Sequence, residues 1–177
     1  MMRSTAVIFL MVVVAVLLAI LAQLELVSEP LIAQRSATIS SDKYETFRMV
    51  TDLHSYHKWM SFIVYVAEDL DTSPQMKMGK PFRLYASSPV GKIELPATIT
   101  KHHSPSQYEF ETKGALFGVR SNMEIVDGKM AGFSKLTWKI HAKRKSYLYW
   151  ITVVQPLKFI LSQQVTASLF NLKVLMQ

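Results

Sequence analysis

Residues Ala6 to Ala22 form an unbroken apolar run, AVIFLMVVVAVLLAILA, framed by Ser4, Thr5 and Gln23. Nothing else in the chain restricts its possible folds as strongly. As a helix, about 20 residues rising roughly 1.5 Å each span about 30 Å, the thickness of a bilayer's hydrocarbon layer. The segment is a membrane span or a signal sequence. A cleavable signal carries an apolar stretch of roughly 7 to 15 residues, with small residues at the third and first positions before the cut. This run is longer and Ile20-Leu21-Ala22 lacks that pattern, so a retained anchor is the expectation and cleavage the alternative. Arg3 before the run, with Glu25 and Glu29 after it, points to a single-pass protein whose body is on the non-cytoplasmic side. Lys43 and Arg48 blur that count. Residues 1–28 read as anchor and linker, and residues 29–177 as one soluble domain.

The 177 residues are 50% apolar, enough for a core of ordinary size. There is no cysteine, which excludes disulfides, thiolate metal sites and thiol nucleophiles. Of 20 Lys and Arg only Arg3, and of 13 Asp and Glu only Glu25 and Glu29, fall at or before residue 29, which leaves the rest of the chain at +8. The densest basic cluster runs from Lys139 through His141, Lys143 and Arg144 to Lys145, then meets Tyr147, Tyr149 and Trp150. Basic residues beside Tyr and Trp suit a membrane–water interface; a solvated strand end is the plainer reading. Nucleic-acid binding is not expected, because the basic residues lack any nucleic-acid-binding motif around them and adjoin a membrane segment.

Past Pro30 the pattern predicts a strand over Leu31 to Ser40. Asp42 and Glu45 make a capping box for a short helix ending near Thr51, with Tyr44, Phe47 and Val50 on one face. Six strands are then predicted: Phe62–Ala67, Phe82–Ala86, Ile93–Thr100, Tyr108–Thr112, Val119–Val126 and Phe133–Ala142. Turn-forming stretches such as Ser104-Pro-Ser106 separate them, and the connections are too short for helical crossovers, so the sheet must be mostly antiparallel. Phe82, Leu84 and Ala86 share a face, as do Ile93, Leu95, Ala97 and Ile99, and Leu136, Trp138, Ile140 and Ala142. This dry side needs a cover. Leu157, Leu161, Val165, Leu169 and Leu172 recur at three- and four-residue spacings, predicting an amphipathic helix over Pro156–Met176. The expected fold is α+β: a curved antiparallel sheet wrapped around a long C-terminal helix, preceded by a transmembrane helix.

Several residues in this order carry a family resemblance. Glu45, Phe47, Val50, Asp52, Tyr56 and Trp59 occupy the first helix and the approach to the second strand. Gly132, Leu136, Thr137 and Trp138 match a late-strand motif, and Leu169, Asn171, Leu172 and Lys173 a closing one. From about Leu31 onward the chain resembles the START-like superfamily, also called SRPBCC or polyketide cyclase/dehydrase-like, which includes the birch-pollen-allergen fold. The resemblance implies a seven-stranded antiparallel sheet gripping the C-terminal helix, with a large apolar cavity between them. It also implies binding of sterols, phospholipids, quinones, polyketides or plant hormones, with catalysis in a minority of members. Ala131 replaces one family glycine and the segment Thr72–Gly79 is short.

The stretch Asp52–Phe62, DLHSYHKWMSF, raises the question of metal or catalytic chemistry. His54 and His57 are three apart, but a metal site needs further ligands, and adjacent His102 and His103 point to opposite faces of a strand. No metal or cofactor site is expected. Glu94, Glu109, Glu111, Glu124 and His141 fall out of phase with the apolar residues of their strands and read as solvated; Gly79-Lys80 has no phosphate-binding loop around it. Trp59 with Phe62 reads as an aromatic lip over a cavity, or as a plug between helix and sheet. Phe82, Leu84, Leu95, Phe110, Met123 and Trp138, with Leu157 and Leu161 from the helix, either line a cavity or fill a core. Met76, Met78, Met123 and Met130 would give adaptable apolar walls. The functional expectation is a membrane-tethered, non-enzymatic protein that binds or transfers a lipid or other apolar molecule, with Lys143, Arg144, Lys145, Tyr147, Tyr149 and Trp150 at the membrane interface. The alternatives are an accessory subunit of a membrane complex and a cyclase/aromatase-like enzyme.

Overall fold

The computed structural model describes residues 2–68, 77–88, 91–114 and 118–177. Met76, most of the segment Thr72–Gly79 and part of the turn after Ser88 lie outside the described residues. The first element is α1 (Met2–Gln23), and no residue from Ala6 to Gln23 is buried against protein. A helix apolar on all sides needs an apolar surround, and by length and composition α1 is a candidate membrane span or signal sequence.

Seven strands follow: β1 (Leu31–Ile39), β2 (Ile63–Glu68), β3 (Pro81–Ser88), β4 (Gly91–His103), β5 (Gln107–Thr112), β6 (Val119–Asp127) and β7 (Ser134–Ala142). They make one antiparallel sheet in the order β1-β7-β6-β5-β4-β3-β2. From β2 onward each strand pairs with its successor, as the short connections require; β1 closes the order by pairing with β7. Register shifts between Leu31 and Ala33, Ile63 and Tyr65, and Ile99 and Lys101 mark irregularities that bend strands and raise local twist. Partners such as Phe82 and Ala97, Ile99 and Phe110, and Met123 and Trp138 face one another across neighbouring strands. Directly paired residues share a face, so the alternation seen in the sequence becomes one continuous dry surface. Gly132 holds the β6–β7 loop at a φ of 79°, a backbone conformation costly for any residue with a Cβ.

Two helical layers cover that surface. At one end, α2 (Lys43–Thr51) starts where the Asp42 carboxylate accepts the Glu45 N–H at 2.9 Å, and Glu45 in turn accepts from the Ser41 hydroxyl at 2.8 Å. A 3-10 turn (Leu53–Ser55) and α3 (Tyr56–Trp59) continue it. The other cover is C-terminal: α4 (Tyr147–Tyr149), a π-helical turn (Trp150–Val154) and α5 (Gln155–Leu175) run on as one helix. It begins earlier than the sequence pattern predicts. Burial along it is uneven, which corrects the expectation of a full-length cover: Val165, Ser168, Leu169 and Leu172 are buried, Leu157 and Leu161 only partly, and Phe159 is 70% exposed. The sheet is firmly covered under the second half of α5 and thinly under the first.

The end of α1 is tied to the domain. Tyr147 N–H donates to Leu24 C=O and Leu26 N–H to Lys145 C=O, each at 2.8 Å, while the Ser146 hydroxyl reaches Ala22 C=O at 3.2 Å. Ala142 N–H then meets Pro30 C=O at 2.9 Å. The linker runs along the sheet's last strand instead of hanging free.

Candidate functional site

Within Asp52–Phe62 the backbone sorts side chains by chemistry. Asp52 ends α2, its N–H donating to Arg48 C=O at 3.1 Å, and starts the next turn, its carboxylate accepting from His54 N–H at 3.1 Å. The tight turn and α3 send Leu53, Tyr56, Trp59 and Met60 inward and leave His54, His57 and Lys58 outside. Among the described residues no group of three or more His, Cys, Asp or Glu side chains is placed to hold a metal.

Inward, Trp59 meets Tyr56 at 5.7 Å and Trp138 of β7 at 5.6 Å between ring centroids. Phe62 lies over the other side of Trp138 at 6.3 Å, and Phe110 touches Phe82, Tyr108 and Tyr56. Of the apolar residues singled out in the sequence, Trp59, Phe82, Leu84, Phe110, Met123 and Trp138 are buried in this cluster; Phe62, Leu95, Leu157 and Leu161 are half-buried against it. Trp59 has no exposed surface: it lies inside the cover, deeper than a lip. Of these, Leu157 and Leu161 lie in the thinly covered first half of α5.

The interior is not wholly apolar. Trp138 Nε1 donates to Ser121 Oγ at 2.7 Å. Tyr56 and Tyr108, both fully buried, turn their hydroxyls towards each other, and among the described residues neither they nor the buried Trp59 Nε1 make a hydrogen bond of regular geometry. Burial pushes the Tyr56 hydroxyl well above its ordinary pKa and raises Tyr108 too, so both stay protonated. Beside them is an ion pair, buried at its lysine and half-buried at its glutamate, that sequence reasoning missed. Lys80 lies two residues before Phe82, in the dry phase of β3, its side chain 3% exposed and bonded to Glu68. Glu68 is the register partner of Phe82 and its other oxygen is 3.3 Å from His54 Nε2. The signal was available: Lys80 shares the phase of Phe82, and Tyr108 that of Phe110.

The outer face corrects another expectation. Glu109, read as solvated, is 4% exposed. It accepts from Thr100 at 2.9 Å and Asn122 at 3.0 Å and pairs with Lys101 at 3.1 Å. Glu111 is bound by Arg120 at 2.8 Å and by Lys143, and Arg120 also holds Glu29 of the linker at 2.9 Å. Burial alone would raise the carboxyls of Glu109 and Glu111, but these hydrogen bonds and cations outweigh it and hold both below the usual range. A cleft of about 590 Å³ opens where Ser28 and Glu29 cross this face, and one of about 770 Å³ lies between Arg35 of β1 and Phe159, Thr166 and Phe170 of α5. Neither enters the aromatic interior.

The basic–aromatic cluster stands where α1 meets the domain. Lys143 and Arg144 are exposed; Lys145, Tyr147 and Trp150 are half-buried. Tyr149 differs: it turns inward, 4% exposed, with the Arg144 guanidinium 5.5 Å over its ring.

No protein-family profile and no curated protein sequence matches the chain. Solved structures do. A START superfamily protein from Mycobacterium smegmatis superposes with a TM-score of 0.66 at 10% identity, over 83% of this chain and 99% of that one. A Deinococcus radiodurans protein gives 0.54 at 15% identity, over 80% and 93%. The di-domain ARO/CYC StfQ of the steffimycin biosynthetic pathway gives 0.63 at 10% identity, over 83% of this chain and 51% of that one. The fold is START-like, a curved seven-stranded sheet with a long C-terminal helix, and identities this low speak for the fold alone.

Proposed function

We propose that the protein is a membrane-tethered binder of apolar molecules, which enter between the sheet and the thinly covered first half of α5. The observation that carries this reading is a coincidence of place. The half-buried Leu157 and Leu161 follow directly, along one continuous helix, from the turn to which the end of α1 is bonded. An anchor in the bilayer would hold this opening beside the lipid. There Lys143, Arg144 and Lys145 meet anionic head groups and Tyr147 and Trp150 seat at the interface. Each methylene moved from water into the interior would contribute about 0.8 kcal/mol. The body is assigned to the non-cytoplasmic side. The test is mass spectrometry of small molecules that co-purify with the full chain in detergent, with an unrelated single-span protein as control. Specific recovery of an apolar compound is expected. Recovering only what the control carries, together with failure of added fatty acids, sterols and quinones to alter tryptophan fluorescence, would overturn the proposal.

A second reading is favoured by Lys80 and Glu68, ionisable groups on the dry side of the sheet beside two tyrosines. Buried charges near a cavity are what acid–base catalysis uses, and two structural neighbours are ARO/CYC proteins. On this reading Lys80→Met would abolish turnover of a bound compound while leaving its binding intact. A role as accessory subunit in a membrane lipid-transport assembly is compatible with either reading, and native purification would reveal it as a stoichiometric partner.

A further inference from the structure

The side of α5 that faces away from the sheet carries a second apolar stripe. Phe159, Gln163, Thr166 and Phe170 recur at spacings of four, three and four, with Ile160 and Val174 alongside, opposite the buried Val165, Ser168 and Leu172. Phe170 is 65% exposed, close to the figure for Phe159, and Ile160 and Val174 are exposed as well. A surface helix ordinarily sets charged residues opposite its buried stripe. Here the exposed positions from Ile151 to Val174 include a single charge, Lys173.

The charges around this face have one sign. The 50 residues after Asp127 hold eight Lys and Arg and no Asp or Glu. The cleft between β1 and α5 is lined by Arg35 and Lys158 as well as by Phe159 and Phe170, with no carboxylate among its lining residues. Apolar side chains flanked by cations match an anionic bilayer surface, which takes up the first and attracts the second. A second copy of the chain would bring the same cations to this face and no acid to pair them.

The place of the helix points to the same occupant. α4, the π-helical turn and α5 run on as one helix, and its first residue, Tyr147, donates to Leu24 at the end of α1. With α1 in a bilayer, this helix starts at the membrane surface, and α5 carries its apolar stripe about 30 Å further.

We infer that the outward face of α5, from Phe159 to Val174, lies on the bilayer that holds α1, its apolar side chains in the interface and Arg35, Lys158 and Lys173 on anionic head groups. This rests on the tethered reading and goes beyond it: the domain is docked along a helix as well as anchored at one end, with the outer face of the sheet turned to water.

The test uses the full chain reconstituted in vesicles of phosphatidylcholine and phosphatidylglycerol. The chain has no cysteine, so a single introduced cysteine can carry a nitrobenzoxadiazole label. Labels go at Gln163→Cys and Ala167→Cys on the outward face, at Val13→Cys in α1, and at Lys135→Cys, exposed on the outer face of the sheet. Quenching is read with lipids bearing a nitroxide near the head group or deep in the acyl chain. The labels at 163 and 167 should be quenched by the shallow nitroxide, the label at 13 by the deep one, and the label at 135 by neither. Leaving out phosphatidylglycerol should lower the docked-to-free ratio at least about fivefold, the effect of one cation at an anionic surface; an unchanged ratio would overturn the anionic assignment. Quenching at 13 with none at 163 or 167 would overturn the inference and leave the anchor standing. Absence of quenching at 13 would overturn the tether on which it rests. Disulfide formation between Gln163→Cys copies, in place of lipid quenching, would put a second copy on this face and overturn the inference as well.

Discussion

The two faces of the sheet solve the same problem differently. On the outer face charged side chains are matched strand to strand: Glu109 to Thr100, Lys101 and Asn122, Glu111 to Arg120 and Lys143, Glu124 to Lys139 at 3.0 Å. On the inner face rings pack against rings, and the few polar atoms among them meet one another or, like Trp59 Nε1, have no partner among the described residues. Outside, polar groups fix register and fasten the linker through Glu29 and Arg120. Inside, Ser121 holds the Trp138 indole and Ser134 the Thr46 hydroxyl at 2.8 Å, while the Tyr56 and Tyr108 hydroxyls face only each other among the described residues.

The largest test of this contrast is Trp59→Ala. Removing a fully buried indole that bridges α3 and β7 should cost about 3–5 kcal/mol, read as a drop in the denaturation midpoint of the full chain in detergent. A loss below about 1 kcal/mol would mean a loose interior and would erase the difference between the faces. Outside, Arg120→Ala is next. It takes one cation from Glu111, which keeps Lys143, and a more distant one from Glu109, which keeps Lys101, Thr100 and Asn122; the expected cost is about 0.5–1.5 kcal/mol, and it frees Glu29. Faster amide exchange over Leu26–Pro30 in the variant would confirm that Arg120 fastens the linker; unchanged exchange would show that the backbone bonds to Lys145 and Ala142 suffice.

Acid separates the faces without mutation. The carboxyls of Glu109 and Glu111 are held below their ordinary value in the folded protein. Their stabilising contribution is therefore present above the unfolded carboxylate range and is lost as pH falls through the lower folded values. Stability should decline as pH drops below about 4.5, the ordinary glutamate value. Glu109→Gln with Glu111→Gln should flatten that slope, while Tyr56→Phe should leave it unchanged. Lys139→Ala, which removes a surface pair with Glu124, should cost no more than about 1 kcal/mol at any pH.

Much of the architecture was legible in residue order. Short runs of β-branched and aromatic residues between turn signals, several of them clearly alternating, found all seven strands to within a few residues, and Asp42 with Glu45 marked α2 because capping is a local interaction. What depended on distant segments was not legible. Glu109 is in the wet phase of β5, yet it is buried among side chains of β4 and β6 that no spacing within β5 reveals. Lys80 drew notice only with Gly79, as a pair with no phosphate-binding loop around it, although its phase with Phe82 already pointed it inward; its charge hid it, because nothing near it in sequence announced Glu68. The apolar stripe of α5 runs evenly through Leu157, Leu161 and Val165, but burial does not, since the amount of sheet beneath each turn is a property of the assembled fold. Tyr56 entered as a motif position and Tyr108 as a strand residue. That their hydroxyls face each other in the interior becomes visible only when both are in place.

The smallest expected effect is the most discriminating. Tyr108→Phe removes one hydroxyl and keeps the ring, its contacts with Phe110 and its burial. Were that hydroxyl part of the protein's own framework, as Ser121 is for Trp138, its loss would cost about 0.5–1.5 kcal/mol. Its one polar neighbour among the described residues is the Tyr56 hydroxyl, in a contact that falls short of regular hydrogen-bond geometry, so removing it takes away a desolvation cost and little else. The variant should be as stable as the parent or more stable by up to about 1 kcal/mol, and Tyr56→Phe should behave alike. On the outer face the equivalent small change, Glu109→Gln, should destabilise at neutral pH. A destabilised Tyr108→Phe would show that the two tyrosines complete each other, and the inner face would then be a finished core like the outer face's finished network. A neutral or stabilising result means that the folded chain keeps a costly hydroxyl it does not need, which is the trade of stability for a binding surface that functional sites make.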